Sequence, residues 1–79
     1  MSLLQLTISK VDEPVFTGEV VSVTVPGSEG EMTVLANHEP FISALKAGII
    51  TIKTTDSTET ISIDAGTMEV SHNQAIILI

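Results

Sequence analysis

The chain has 79 residues, enough for one domain and too few for two. Ten acidic residues against three lysines and no arginine give a formal charge of −7, which argues against nucleic acid and anionic lipid as partners because both are polyanions. The absence of cysteine excludes disulfides and thiolate metal sites, and no apolar run approaches the ~18 residues of a membrane span. Residues 1–6 show no secretory signal, so we expect a cytoplasmic protein.

Two features of the composition predict a packed β domain. The chain contains eight Val, ten Ile and ten Thr, and these β-branched side chains fit a pleated, half-buried surface better than a helix. Hydrophobic residues make up 43% of the chain, and a domain of this size needs them because it buries only about 60% of the surface that its unfolded chain exposes. We therefore expect an all-β fold with a dense apolar core.

The first quarter of the chain carries strand patterns. Apolar residues at every second position predict a strand over 4–8. Residues 12–14 interrupt it, and 15–18 form a short second segment. The run 19–25 is predicted to be one strand. On one face of that strand we expect Val21, Val23 and Val25.

Turn chemistry then separates three shorter segments. Residues 26–31 contain one Pro and two Gly, which favour a turn, and 32–35 is a short strand closed by a loop at 36–40. The segment 41–47 fits neither the helical nor the strand template cleanly, but it is too short for an isolated helix, so we interpret it as a strand. A further strand is predicted over 49–54.

The last third of the chain returns to regular alternation. Apolar and polar residues alternate over 60–65, Gly66 breaks or bulges the ladder, and the pattern continues over 68–70. His72-Asn73 reads as a turn before the final strand, 75–79. That strand is apolar on both faces, so it must be central or covered, since an exposed edge of this kind invites aggregation.

Eight to ten short strands with regular turn signals are typical of a β-sandwich or a flattened barrel. The pattern contains no repeat, linker or low-complexity segment. One domain therefore covers residues 1–79.

The sequence offers few residues for chemistry. Only His38 and His72 could activate a serine, no Gly-x-Ser-x-Gly turn is present, and both histidines are interpreted as surface or loop residues. His38-Glu39 and Asp64 do not form a recognisable zinc set. The segment 27–31 lacks the Gly-Lys-Ser/Thr ending of a phosphate loop, and its acids would repel phosphate. We therefore predict no catalytic residue, no metal and no cofactor.

The stretch 23–52 contains a Gly-x-x-Gly-Glu turn, a short strand and a His-x-Pro loop, formed by Gly27, Gly30, Glu31, His38 and Pro40. In order and spacing these motifs resemble the epsilon subunit of bacterial and chloroplast F-type ATP synthases. The similarity extends to the segments 14–20 and 64–79. The chain departs from the family at Ala65, where a first Gly is usual, and at Ala36-Asn37, which replace Pro-Gly; Asn37 could still adopt a left-handed conformation.

The resemblance implies the N-terminal β-sandwich domain of the family, with about ten strands. Typical members add a C-terminal pair of helices that carries inhibition of ATP hydrolysis and, in some, ATP binding; this chain ends before them, so none of that is transferred to it. The chain is either a naturally short form or an excised domain, and we favour the short form.

The resemblance also implies a function: a non-catalytic central-stalk subunit that links the gamma subunit to the membrane c-ring and couples proton-driven rotation to ATP synthesis. Such a subunit is peripheral, lies at the cytoplasmic face of the bacterial inner membrane, and binds no small-molecule substrate. The positions that match the c-ring contact are Ser28, Glu29, Gly30 and Glu31, with Glu31 the best single candidate. The positions that match the region near gamma and the ring are His38, Phe41, Ile42 and Ser43.

Three other interpretations are open. A β-sandwich module for carbohydrate or peptide would need an aromatic platform, whereas this chain has no Trp or Tyr and its two aromatics, Phe16 and Phe41, are expected in the core. A small hydrolase would need a catalytic triad. The domain could also be a family member that no longer serves a synthase, which neighbouring coding regions for a synthase beta subunit would decide.

Overall fold

The computed structural model describes residues 2–79, and the regular secondary structure in that range consists of β-strands alone. Met1 lies outside the described residues. The all-β class is confirmed, with nine strands in the described range where about ten were expected. The strands are β1 (Leu4–Lys10), β2 (Glu13–Val20), β3 (Ser22–Gly27), β4 (Gly30–Leu35), β5 (Phe41–Leu45), β6 (Gly48–Lys53), β7 (Thr58–Ile63), β8 (Gly66–Ser71) and β9 (Gln74–Leu78).

The nine strands form one continuous sheet that curls around its own inner face. Its hydrogen-bonded order is β2-β1-β9-β8-β5-β3-β6-β7, and β4 lies off this path. Strand β3 pairs with β4 along its whole length, with β6 through residues 22–24, and with β5 through Gly27. Neighbouring strands are antiparallel except for β1 and β9, which run parallel. The curled sheet measures 32 × 23 × 22 Å, so it is elongated along one axis and nearly round in cross-section.

The core lies inside this curl and follows from the period of two. Side chains of successive strand residues point to opposite faces, and burial accordingly alternates along β1, β3 and β9. Full burial of each such aliphatic side chain stabilises the fold by about 1.5–3 kcal/mol relative to exposure. No polar or charged side chain of residues 2–79 is buried. The buried hydrophobic residues are Leu4, Leu6, Ile8, Val20, Val23, Val25, Val34, Leu45, Ile50, Ile52, Ile63, Met68, Val70, Ala75 and Ile77.

The single strand predicted for 19–25 is wrong. β2 ends at Val20, a bend follows at Val21, and β3 starts at Ser22. Val20 and Val23 are both fully buried although they are three residues apart, which one strand with a period of two cannot achieve. The bend lets the chain leave β1, where Val20 pairs with Leu4, and continue beside β4 and β6.

Two other predictions about strands are confirmed, although the second accounts for only one face of its strand. The ambiguous segment after the loop is strand β5, which pairs with β8. The last strand, β9, is central, between β1 and β8. Its inward residues Ala75 and Ile77 are fully buried, but the outward Ile76 and Leu78 are 39% and 53% exposed. Central pairing therefore explains only one face of this apolar strand.

Candidate interaction surfaces

The predicted turn is a tight hairpin between β3 and β4. It is shorter than the six residues expected, because Gly27 pairs with Gly30 and only Ser28 and Glu29 remain in the loop. Gly30 has φ +135°, a conformation that L side chains rarely adopt, and a Cβ on Gly27 would lie 2.7 Å from the carbonyl oxygen of Gly30. Both glycines are therefore required for a loop this short.

The tip of this hairpin is acidic, exposed and tied to its surroundings. Ser28, Glu29 and Glu31 are all exposed. The backbone N–H of Ser28 donates to the carbonyl of Ala44 (2.9 Å), and the N–H of Lys46 donates to the carbonyl of Pro26 (2.9 Å). These bonds join the β3 arm of the hairpin to the end of β5 and the residue after it, so the carboxylates project from an anchored backbone. We call residues 28–31 the acidic tip.

The loop 36–40 lies at the other end of β4. Its second residue, Asn37, has φ 61°, so it adopts the left-handed conformation that Asn tolerates. The ring of His38 packs against Phe41 with centroids 5.0 Å apart and planes inclined by 55°, and its Nδ1 donates to the carbonyl of Glu39 at 2.9 Å. Beside this loop is a surface hollow of about 380 Å³, lined by Met32, Thr33, Val34, His38, Glu39, Pro40 and Phe41.

The two groups of predicted site residues do not form one site. The six residues of β4 separate the acidic tip from the loop 36–40, and a strand of that length spans roughly 20 Å. The strand β5 connects them, since it starts next to the loop and its Ala44 carbonyl meets the tip. The predicted residues therefore lie at two opposite ends of the sandwich and along one strand between them.

The period of two divides the predicted residues on β5. Ile42 points outward and is 74% exposed, whereas Phe41 and Ser43 point the other way and are half-buried. Ser43 uses its hydroxyl locally, donating to the Ala44 carbonyl at 3.0 Å. Phe41 packs against the core rather than within it, as does Phe16. A partner on the outer side of β5 would meet Ile42 and leave Ser43 untouched.

An apolar surface that the sequence did not assign surrounds Ile42. In the ladder Ile42 pairs with Glu69 of β8, which pairs with Ile76 of β9. The next row joins Thr67 to Leu78, and together these residues line a shallow hollow of about 290 Å³. We call this surface the outer face; its residues are Ile42, Thr67, Glu69, Ile76 and Leu78. The signal was present in the sequence, because the final strand is apolar on both faces.

The described residues offer little for bond-making chemistry. His38 and His72 are both exposed and lie in loops, as the sequence interpretation held. Within residues 2–79 no three His, Asp or Glu side chains are grouped to hold a metal ion. The same part of the chain contains no helix long and apolar enough to cross a membrane.

Comparison with known sequences shows which proteins the chain resembles. A family model described as ATP synthase, Delta/Epsilon chain, beta-sandwich domain matches residues 3–79. The chain is 42% identical to the ATP synthase epsilon chain of Sulfurimonas denitrificans, over all of this chain and 62% of that relative. It is also 42% identical to the ATP synthase epsilon chain of Helicobacter pylori, over 99% of this chain and 63% of that relative. The chain thus spans less than two thirds of the length of these relatives.

Solved structures give the same picture of the fold. One chain of the mitochondrial ATP synthase of Euglena gracilis, solved as an OSCP/F1/c-ring assembly, superimposes with a TM-score of 0.90 at 28% identity, over 96% of this chain and 49% of that one. A chain of the Tetrahymena thermophila mitochondrial ATP synthase, from its central stalk and c-ring, superimposes with a TM-score of 0.82 at 12% identity, over 95% and 61%. The second likeness shows the fold alone.

Proposed function

Because the chain belongs to the ATP synthase delta/epsilon family, we propose that it is a non-catalytic subunit of the central stalk of an F-type ATP synthase. It joins the gamma subunit to the c-ring, so that rotation driven by proton flow reaches the catalytic head. It works at the cytoplasmic face of a bacterial inner membrane as a peripheral component. It needs no cofactor and no small-molecule substrate of its own.

The observation that carries this proposal is the presence of two chemically different surfaces on one curled sheet. The acidic tip is polar and charged, whereas the outer face exposes Ile42, Ile76 and Leu78. A linking subunit needs two such surfaces, one for each neighbour. A body that transmits torque between them must also resist deformation, and a close-packed apolar interior has low compressibility.

The gamma subunit fits the apolar surface. The outer face and the adjoining loop 36–40 together offer exposed aliphatic side chains, a hollow and the His38–Phe41 pair, and the buried centre of a stable interface is apolar and poor in charged residues. Glu69 lies between Ile42 and Ile76 in the ladder. A carboxylate covered by a partner requires a cation opposite it, so gamma should present a Lys or Arg there within an apolar surface.

The c-ring fits the acidic tip. Glu29 and Glu31 project from an anchored hairpin at one end of the sandwich, and a polar loop with basic side chains would complement them. Salt weakens the attraction between exposed charges, with a screening length of about 8–10 Å at ordinary ionic strength. The contact with the ring is therefore salt-sensitive, and the contact with gamma much less so.

A binding experiment with separate partners tests the proposal. The purified chain is incubated with the gamma subunit and with detergent-solubilised c-ring of the same synthase, alone and together, at low and at high salt. We expect capture by gamma at both salt concentrations and capture by the ring chiefly at low salt. Absence of binding to gamma under both conditions, with the chain folded, would refute the proposed role.

A further inference from the structure

In the turn between β8 and β9, the side chain of Asn73 makes hydrogen bonds that the turn itself does not require. Ser71 pairs with Gln74 across it, and the two loop residues, His72 and Asn73, have φ values of 50° and 59°. Two consecutive positive φ angles are the signature of a type I′ hairpin, in which Asn is favoured. The backbone of Asn73 is thus explained by the hairpin itself, but its side chain is not.

The amide of Asn73 joins two segments that are distant in sequence. Its Nδ2 donates to the carbonyl of Leu3 at 2.8 Å, across 70 residues of chain, and its Oδ1 accepts the backbone N–H of Asn37 at 2.8 Å. The carbonyl of Asn73 also accepts the N–H of Gln5 at 3.2 Å. One partly buried side chain therefore connects the start of β1, the β8–β9 turn and the loop 36–40.

The bond to Asn37 acts on the entry to the candidate gamma-binding loop. Asn37 already has a left-handed backbone, and its N–H is fixed in direction by the Oδ1 of Asn73. The next residue is His38, whose ring packs on Phe41 and lines the hollow beside β4. A fixed Asn37 therefore helps to fix the position of His38, which forms one wall of the hollow.

We propose that Asn73 is a positioning residue for the loop 36–40: it keeps the loop in the conformation that receives gamma without needing to contact gamma itself. This inference rests on the proposed function. A loop that is ordered before binding loses less conformational entropy on association. Loss of the Asn73 side chain, which holds the Asn37 N–H, should therefore lower affinity even when the sandwich remains folded.

Two variants of Asn73 and one of its neighbour separate this role from a purely structural one. Asn73→Gly keeps the left-handed backbone accessible and removes both side-chain bonds. Asn73→Asp keeps an oxygen for the Asn37 N–H but removes the donor to Leu3. His72→Gly is the matched control, since it makes the same change in the same turn and leaves the Asn73 amide intact.

Two readouts are measured on the full chain: hydrogen exchange of the Asn37 amide and the dissociation constant for gamma. For Asn73→Gly we expect exchange and dissociation constant each to rise about tenfold, because the loop now opens locally. For His72→Gly we expect both to stay within about threefold of the unaltered chain, because the bond to Asn37 persists. For Asn73→Asp we expect smaller rises than for Asn73→Gly, because one carboxylate oxygen still accepts from Asn37 while the other is repelled by the Leu3 carbonyl.

Each contrary result has a distinct meaning. If the Asn37 amide in Asn73→Gly stays protected, or if exchange rises while the affinity for gamma is unchanged, Asn73 does not position the loop and the inference fails alone. If Asn73→Gly and His72→Gly weaken binding equally, the turn rather than the amide is responsible, which also overturns it. If the unaltered chain does not bind gamma, the proposed function fails, and the inference about affinity fails with it.

Discussion

Glu29 and Glu31 are exposed at the acidic tip, and the hairpin that presents them owes its shape to residues other than these two. Gly27 and Gly30 make the two-residue loop possible, and backbone bonds to Ala44 and Lys46 anchor it. Substitutions of exposed side chains outside such backbone features usually change stability by less than about 0.5 kcal/mol. The charge of the tip can therefore be changed without disturbing the fold.

Reversing both charges, in the variant Glu29→Lys/Glu31→Lys, should weaken assembly on the c-ring and lower proton-coupled ATP synthesis in reconstituted enzyme. The thermal midpoint should stay within a few degrees of that of the unaltered chain. The control is Asp56→Lys/Glu59→Lys, which makes the same change in net charge at the end of β6 and β7 remote from the tip. Full coupling in the tip variant would contradict the assignment of the ring contact, as would equal losses in both variants.

Strand β9 contributes both to the core and to the outer face. Its inward side chains, Ala75 and Ile77, complete the core, while Ile76 and Leu78 remain exposed beside Ile42 on the outer face. Its central position, parallel to β1 and antiparallel to β8, gives its backbone groups hydrogen-bond partners on both sides. The core takes the fully buried side chains of β9, and the exposed parts of Ile76 and Leu78 remain accessible on the outer face.

The double substitution Ile42→Thr/Ile76→Thr preserves β-branching and should leave the sheet intact. It removes apolar area from the outer face, so we expect affinity for gamma to fall about tenfold or more, equivalent to about 1.4 kcal/mol. Titration calorimetry with purified gamma measures the change. Ile49→Thr is the control, because Ile49 is 50% exposed on β6, away from the outer face; an equal loss of affinity there would argue against this surface.

The whole molecule is one curled sheet around one core, and no polar side chain within 2–79 interrupts that core.

Strand β9 allows the contribution of burial to stability to be measured directly, since Ile76 is 39% exposed and Ile77 is fully buried. The two residues are adjacent, chemically identical and in the same strand. Any difference between their truncations reports burial rather than strand propensity.

Truncating the buried residue, Ile77→Ala, should lower the free energy of unfolding by about 2–5 kcal/mol through lost transfer energy and a residual cavity. Truncating its neighbour, Ile76→Ala, should cost less than about 1.5 kcal/mol. Denaturant unfolding of both variants under the same conditions measures this. Equal losses would mean that β9 does not lie in the sheet as described.

Local sequence patterns were enough to predict the class of the fold and most of its strands. Alternation over 4–8 and the β-branched composition reflect burial of every second residue, a local rule that needs no knowledge of partners. Turn chemistry likewise located the β3–β4 hairpin and the His72-Asn73 turn. The resemblance to the delta/epsilon family could be seen from short motifs because their spacing is also a property of the chain alone.

Which predicted residues share a surface depends on the pairing of strands in three dimensions. The tertiary structure broke the strand predicted over 19–25 at Val21, because Val20 and Val23 both face the core from strands with different neighbours. It also placed His38 and the acidic tip at opposite ends of β4. The bond from the Asn73 side chain to Asn37 spans 36 residues, and such a contact depends on the pairing of distant strands, on which the local pattern of either segment carries no information.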